Sequence, residues 1–162
     1  MTNCYLAMDL GGTNLIAGLV DEQGRILERR KAPTLAIRGP EAVTKNMVAI
    51  LEDLASACPG RVQALVMGVP GWINKSEGLL IQAPNLPGWK DIPLAAIMNK
   101  ALGIPVDLEN DTNLYALGDW PYGAWRGLHH LMVLTLVTAV GGGLILNDQL
   151  WNVSLASSAE IG

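Results

Sequence analysis

Residues 8–14 read Met-Asp-Leu-Gly-Gly-Thr-Asn and join two apolar stretches, residues 4–10 and residues 14–20. Each stretch is short, apolar and bounded by turn residues, which is typical of a β-strand. The Gly-Gly-Thr turn therefore joins two strands, and a further polar turn leads into a third strand at residues 25–31. This pattern predicts an antiparallel meander of three strands at the start of the chain.

Helices alternate with buried strands after the meander. Apolar residues recur at helical spacing on one face of residues 40–57, and a second amphipathic segment, residues 93–102, ends at Gly103. A third helix is predicted to begin near Asn110 and Asp111. The remaining predicted elements are strands at 62–69, 105–109, 131–138 and 144–146, with a loop and a short hairpin at 72–90. This order is typical of an α/β fold with a mixed sheet.

Composition excludes several classes of protein. The chain has 162 residues, 50% of them apolar, which is enough for one domain, or for one domain and the start of another. Its net charge is −4, and its 11 scattered Lys and Arg residues form no basic stripe, so we expect no nucleic-acid partner. The longest uncharged apolar run, residues 131–146, is shorter than the roughly 20 residues of a membrane span. We therefore expect no membrane attachment.

The two cysteines bear on the cellular compartment. Cys4 and Cys58 lack the spacing of a metal site or of a disulfide scaffold, and no signal peptide precedes the first strand. We therefore expect reduced cysteines in a cytoplasmic protein.

Asp9, Gly11, Gly12 and Thr13 form the first candidate site. Two glycines allow backbone N–H groups to approach a phosphate closely, and the threonine hydroxyl adds a donor. The Asp9 carboxylate is suited to orient Mg²⁺ through water. Because the glycines join two strands, this is neither a Walker loop nor a dinucleotide fingerprint. A tight hairpin with one acidic residue is the alternative interpretation.

Residues 109–113, Glu-Asn-Asp-Thr-Asn, end a strand and open a helix. Ligands in α/β proteins gather beyond the carboxyl ends of strands, and the helix dipole favours the ionised form of Asp111. An ionised carboxylate there can accept a hydroxyl proton, as phosphoryl transfer to a sugar requires. An ordinary helix N-cap made by Asn110 or Asp111 is the alternative interpretation.

Two Pro-Gly turns carry tryptophans, one at residues 69–72 and one at residues 85–89, which begin with Asn85. Such turns can wall a cleft for a polar ligand such as a sugar, or they can be purely structural. The adjacent His129 and His130 would point to opposite faces of a strand, so we expect no metal site there.

Together and in this order, these motifs resemble the ROK (repressor, open reading frame, kinase) family, and most closely its bacterial glucokinases, within the actin, Hsp70 and sugar-kinase superfamily. The resemblance rests on MDLGGTN (8–14), GVPGWIN (68–74), APNLPGW (83–89) and ENDTN (109–113), and more weakly on residues 135–151 and 159–162. It implies a ribonuclease H-like α/β lobe with a mixed five-stranded sheet at residues 1–120. The first strands of a second lobe would follow at residues 121–162.

The resemblance also implies roles for individual residues and a reaction. Asp111 would be the general base that accepts a proton while the γ-phosphoryl group of ATP passes to a hexose. The 6-hydroxyl of glucose is the first candidate acceptor. Zinc would bind only in a longer chain, and the full-length protein would be a homodimer. The implied phosphate and Mg-ATP contacts are Asp9, Gly11, Gly12, Thr13 and Thr138, and the implied sugar contacts are Asn85, Asn110 and Glu160.

The chain departs from the family pattern in two respects. It ends at Gly162, near half the family's length, which implies a truncated form with weak or no activity alone. In the second phosphate motif, Val137 and Ala139 occupy glycine positions, and Asp148, Val153 and Ala159 occupy further glycine positions nearby. A valine side chain at such a position is expected to hinder the approach of the backbone to a phosphate.

Three functions are compatible with the sequence. The first is a glucokinase-like sugar kinase, with N-acetylmannosamine, N-acetylglucosamine and fructose as alternative substrates and polyphosphate as an alternative donor. The second is a non-catalytic sugar-binding module. The family's repressors carry a DNA-binding helix-turn-helix before the first strand, and there is no room for one ahead of Cys4. A purely structural α/β domain is the third.

Overall fold

A computed structural model describes residues 3–136 and 140–151 of the chain. Its helices are α1 (Gly39–Ser56), α2 (Leu94–Leu102) and α3 (Asp111–Tyr122). Its strands are β1 (Asn3–Leu10), β2 (Asn14–Asp21), β3 (Ile26–Pro33), β4 (Arg61–Val69), β5 (Trp72–Asn74), β6 (Leu79–Gln82), β7 (Lys90–Ile92), β8 (Val106–Asn110), β9 (His130–Leu136), β10 (Val140–Leu146) and β11 (Gln149–Leu150).

The central sheet contains five strands in the order β3-β2-β1-β4-β8. β1, β2 and β3 form the predicted antiparallel meander, while β4 pairs in parallel with both β1 and β8. The mixed five-stranded sheet of an α/β lobe is therefore confirmed. The parallel strands β1, β4 and β8 all end at the same edge, which brings their carboxyl ends together.

The main core lies between one face of this sheet and α1 with α2. Met47, Leu51 and Leu54 on α1 are fully buried in one cluster with Leu6 of β1 and Met98 of α2. The helical spacing in residues 40–57 therefore predicted the buried face of α1 correctly. Gly103, with φ of 68°, ends α2 as expected, because glycine adopts this left-handed conformation without strain. Within the described residues, no helix is long and apolar enough to cross a membrane.

α3 packs on the other face of the sheet, where β4 has a glycine. A Cβ atom at Gly68 would lie 3.1 Å from Leu114 and 3.6 Å from the Cα atom of Asp111. α3 also packs against β10, where a Cβ atom at Gly143 would lie 2.6 Å from the backbone oxygen of Thr112. Glycines on two strands thus allow α3 to approach both sheets closely. The predicted division between residues 120 and 121 falls within the last turn of α3.

Two small sheets differ from the sequence-based expectation. Residues 72–92 form a three-stranded sheet, β5-β6-β7, rather than a loop with one hairpin. The strand predicted at residues 144–146 is longer than expected: β10 begins at Val140, includes the glycines at 141–143 and pairs with β9. Met132 on β9 is 49% exposed, because the side chains of β9 alternate and only every second one faces inward.

The expectation of reduced cysteines is wrong for this structure, which joins Cys4 and Cys58 in a disulfide with a Cα–Cα distance of 6.3 Å. Cys4 lies in β1, and Cys58 follows α1. The two are separated by 54 residues, and only the packing of α1 on the sheet brings them together. Spacing along the chain carried no signal of this contact.

Candidate functional site

A cleft with a volume of about 630 Å³ opens at the edge where β1 and β8 end. It is lined from three directions: by the β1–β2 turn, by the segment around β5 and β6, and by the start of α3. The lining residues include Asp9, Gly11, Gly12, Thr13, Asn14, Pro70, Asn85, Asp111, Tyr115 and Thr135. Six residues that the sequence singled out as site candidates therefore share one cavity.

The Gly-Gly-Thr turn is held from the end of β3. The backbone N–H of Gly11 donates to the backbone oxygen of Asn14 at 3.0 Å, which closes the turn. The hydroxyl of Thr34 donates to the backbone oxygen of Gly11 at 2.6 Å, and the Thr34 amide donates to that of Thr13 at 2.8 Å. Thr34 is almost fully buried. It braces the turn, and sequence reasoning missed it because it lies outside every motif.

Both glycines of this turn leave little room for a side chain, and Gly11 leaves none. A Cβ atom at Gly11 would lie 2.7 Å from the backbone oxygen of Asn14. A Cβ atom at Gly12 would lie 3.2 Å from the backbone oxygen of Asn85 and 3.3 Å from its Cβ atom. The turn therefore packs directly against the Asn85 loop, and the absence of side chains leaves its surface open to the cleft.

Asp111 is the first residue of α3 and faces the cleft. Its Oδ1 atom accepts hydrogen bonds from the Thr112 amide at 2.8 Å and from the Thr112 hydroxyl at 3.3 Å. Burial raises the pKa of the Asp111 carboxyl above its ordinary value of 3.8, and the bonds from Thr112 offset part of this rise. A carboxylate with a raised pKa is a stronger proton acceptor than an exposed one.

Asp9 lies at the end of β1 in the same cleft. Burial raises the pKa of its carboxyl above 3.8, the negative charge of Asp111 raises it further, and a hydrogen bond from Tyr115 lowers it. The Tyr115 hydroxyl donates to Oδ2 of Asp9 at 3.4 Å. Tyr115 follows Asp111 by one helical turn and so shares its face of α3. The sequence analysis did not select Tyr115, although its spacing from Asp111 was a usable signal.

Tyr115→Phe is expected to raise the pKa of Asp9, because the substitution removes the hydrogen bond that stabilises its charged form. The carboxyl carbon resonance of Asp9, followed by NMR as the pH is raised, would measure this shift. Tyr122→Phe is the matched control, since Tyr122 ends the same helix with an exposed ring. An unchanged Asp9 titration in Tyr115→Phe would show that the hydroxyl does not act on Asp9.

Asn110 makes the helix cap that was the alternative interpretation of its motif. Its Oδ1 atom accepts from the amides of Thr112 at 3.0 Å and Asn113 at 3.4 Å. Its Nδ2 group donates to the backbone oxygen of Gly71 at 3.4 Å. Asn110 is buried and does not line the cleft, whereas Asn85 does. Its role as a sugar contact therefore stays a prediction.

The tryptophans of the two Pro-Gly turns do not wall the cleft. Trp89 is buried in the core, and Trp72 is 46% exposed without lining the cavity. The cleft uses the preceding residues of those turns instead, Pro70 and Asn85.

Some predicted site residues lie outside the described part of the chain. These are Thr138 and Glu160, together with Val137, Ala139, Val153 and Ala159 at the altered glycine positions. Thr135, on the described part of β9, does line the cleft, and its hydroxyl lies 3.4 Å from that of Thr112. Asp148 adopts a φ of 62°, which is consistent with a position that favours glycine.

The histidine pair binds other partners. His129 Nδ1 lies 2.8 Å from a carboxylate oxygen of Asp148, and His130 Nδ1 accepts from the Asn147 amide at 3.3 Å. Across residues 3–136 and 140–151, no group of three or more His, Cys, Asp or Glu residues is placed to hold a metal ion.

Comparison with known proteins extends the sequence resemblance. A model of the ROK family matches residues 5–162. A glucokinase from Thermotoga maritima is 37% identical over 158 residues, which cover 97% of this chain and 49% of that protein. A xylose repressor from Caldicellulosiruptor bescii is 32% identical over 108 residues, which cover 67% of this chain and 27% of that protein.

The fold comparison agrees with the sequence comparison. The crystal structure of a ROK family glucokinase from Streptomyces griseus in complex with glucose and AMPPNP matches with a TM-score of 0.89 and 31% identity. The match covers 98% of this chain and 49% of that one. This chain therefore spans about half the length of the glucokinases that it matches.

Proposed function

Because this chain belongs to the ROK family, we propose that it forms the N-terminal part of an ATP-dependent hexose kinase, with glucose as the first candidate substrate. One observation carries the proposal: the Asp111 carboxylate and the Gly11-Gly12-Thr13 turn line the same cleft. A proton acceptor beside an open, glycine-lined turn suits transfer of a phosphoryl group to a hydroxyl.

In the proposed reaction, Asp111 accepts the proton of the sugar 6-hydroxyl while that oxygen forms a bond to the γ-phosphorus of ATP. The bond between this phosphorus and the bridging oxygen breaks, and ADP leaves. The open N–H groups at Gly12 and Thr13 are suited to bind phosphate oxygens. Asn85 lines the same cleft beside the Gly-Gly-Thr turn, where it can bind sugar hydroxyls.

Mg²⁺ would enter with the nucleotide. Asp9 is the carboxylate in the cleft that is suited to coordinate it, directly or through water. Protein sites for Mg²⁺ usually supply one or two carboxylates, while phosphates and water complete the coordination. The ion would neutralise charge on the phosphates. The small number of carboxylates in the cleft fits this shared arrangement.

Several finer predictions belong to the same proposal. The partner is a small hexose, and the full-length protein is a cytoplasmic homodimer that binds neither nucleic acid nor membrane. Zinc belongs to a longer chain. The division into a lobe at residues 1–120 and the start of a second lobe at 121–162 is also proposed. Since the matched glucokinases are about twice as long, weak or no turnover by this chain alone is consistent with the proposal.

A non-catalytic sugar-binding module is the second candidate. The similarity to a xylose repressor favours it, because that relative is named as a repressor and not as a kinase. The two candidates differ in a single observable, since both bind a sugar but only the kinase converts it.

The deciding experiment is incubation of the chain with glucose, Mg²⁺ and either ATP or polyphosphate. The kinase proposal expects sugar phosphate and ADP in equal amounts when ATP is the donor. N-acetylmannosamine, N-acetylglucosamine and fructose test the substrate. Sugar binding without product, also in a chain extended beyond Gly162, would favour the second candidate. Neither binding nor product with any of these sugars would reject both.

A further inference from the structure

Glu109 is a buried carboxylate for which the proposed reaction has no use. It is the second-last residue of β8, pairs with Gly68 of β4, and is 5% exposed. A charge removed from water is costly unless charged or polar partners compensate it. The groups that contact Glu109 therefore indicate its structural role.

One oxygen of Glu109 holds the turn between β8 and α3. Oε1 accepts from the backbone amide of Asn110 at 3.0 Å and from the side-chain amide of Asn113 at 2.9 Å. Asn113 is also buried. Asn110 and Asn113, on either side of Asp111, are thus hydrogen-bonded to the same atom. These two bonds fix the orientation of Asp111 at the end of the strand.

The other oxygen of Glu109 reaches a different part of the chain. Oε2 forms an ion pair with Lys75, which is 34 residues earlier and lies between β5 and β6. Lys75 opens a short turn, Lys75–Glu77, in which the Asn74 side-chain oxygen accepts from the Glu77 amide at 3.4 Å and from the Ser76 hydroxyl at 2.8 Å. The ammonium group is therefore presented by an ordered segment and not by a free loop.

The same small sheet carries a wall of the cleft. β6 ends at Gln82, and Asn85, three residues later, lines the cavity. A second bond, from Asn110 Nδ2 to the backbone oxygen of Gly71, joins the same two segments at the start of β5. The strand-to-helix turn that carries Asp111 is therefore tied to the β5-β6-β7 sheet at two separate points.

We propose that Glu109, held by Lys75, is a positioning residue that sets Asp111 against the Asn85 wall of the cleft. The proposal rests on the sugar-kinase function proposed above. In this proposal the ion pair sets the distance between the Asp111 carboxylate and the groups that would bind the sugar. Loss of the pair is expected to weaken productive sugar binding while nucleotide binding, which uses the β1–β2 turn, stays nearly unchanged.

The test uses Lys75→Met, Lys75→Arg, Glu109→Gln and the double variant, with Lys90→Met as control because Lys90 is an exposed lysine of the same small sheet. Lys75→Met leaves the buried Glu109 carboxylate with its hydrogen bonds but without the Lys75 cation, whereas the double variant leaves no buried charge at this position and is the one expected to fold if Lys75→Met does not. We expect Lys75→Met to raise KM for the sugar roughly tenfold and KM for ATP by less than about twofold. Lys75→Arg should restore most of the sugar affinity, and the double variant should be no worse than Glu109→Gln.

A second readout does not depend on activity. Hydrogen exchange of the Asn110 amide, which donates to Glu109, should be at least about fivefold faster in Lys75→Met than in Lys90→Met. Parental kinetics together with parental exchange in a folded Lys75→Met chain would overturn the proposal, as would a rise in the two KM values by the same factor. If neither this chain nor one extended beyond Gly162 converts sugar, the kinase function fails. Hydrogen exchange then decides the positioning role, with faster exchange supporting it and unchanged exchange rejecting it.

Discussion

Asp111→Asn is expected to lower kcat for sugar phosphorylation by roughly 10²–10⁴-fold, which is the usual contribution of a general base. Asparagine has nearly the same shape and can still accept from the Thr112 amide, so the change removes proton-accepting ability with little change in packing. The rate would be measured at saturating glucose and Mg-ATP in a chain of sufficient length to turn over.

The matched control is Asp107→Asn, which removes an exposed carboxylate from the same strand, β8. It should retain parental kcat. Turnover by Asp111→Asn within about threefold of the parent would remove Asp111 from the role of general base, even if the protein proved to be a kinase.

The same substitution should stabilise the fold at neutral pH. The pKa of Asp111 is raised in the folded state, so the unfolded chain gives up its proton first as the pH rises above 3.8. In that window the folded state binds more protons, and the free energy of unfolding falls with rising pH. The loss continues until the folded carboxyl also ionises. Asp111→Asn removes this loss, so urea unfolding should show a gain over the parent that grows above pH 3.8 and levels off once the folded carboxyl ionises.

Gly11→Ala is expected to damage both the β1–β2 turn and phosphate binding. The added Cβ atom would meet the backbone oxygen of Asn14 at 2.7 Å, and this oxygen accepts the hydrogen bond that closes the turn. Backbone atoms cannot move aside as a flexible side chain can, so the turn must open. We expect a loss of about 1–3 kcal/mol in the free energy of unfolding, as for other overpacked sites, and at least a roughly tenfold weaker affinity for ATP.

Gly18→Ala is the matched control on the adjacent strand β2. Its Cβ atom would lie 3.6 Å from the backbone oxygen of Glu28, which is an ordinary contact. Urea unfolding and ATP titration of both variants would separate a local effect on the turn from a general intolerance of the sheet to alanine. Parental ATP affinity in Gly11→Ala would mean that phosphate does not bind at this turn.

The local elements of this protein were predictable because their causes lie close together along the chain. The spacing of Met47, Leu51 and Leu54 predicted the buried face of α1, and Gly103 predicted the end of α2. The Gly-Gly-Thr turn and the cap at Asn110 followed in the same way from backbone preferences of a few neighbouring residues. One strand was predicted too short: the strand expected at residues 144–146 begins at Val140, because Gly141 and Gly143 lie within β10 and allow α3 to pack closely on it.

The contacts that give the site its chemistry depend on tertiary structure. Tyr115 and Asp9 are 106 residues apart, Lys75 and Glu109 are 34 apart, and Thr34 lies 23 residues from Gly11. Strand order and register determine which of these distant groups meet, and neither is encoded in the spacing of a motif. Taken by itself, the sequence determined the secondary-structure elements, the mixed α/β fold and the motifs that face the cleft. Only the tertiary structure decided which buried and half-buried side chains brace those motifs and raise the pKa values of Asp9 and Asp111, because desolvation and pairing arise from neighbours brought together by packing.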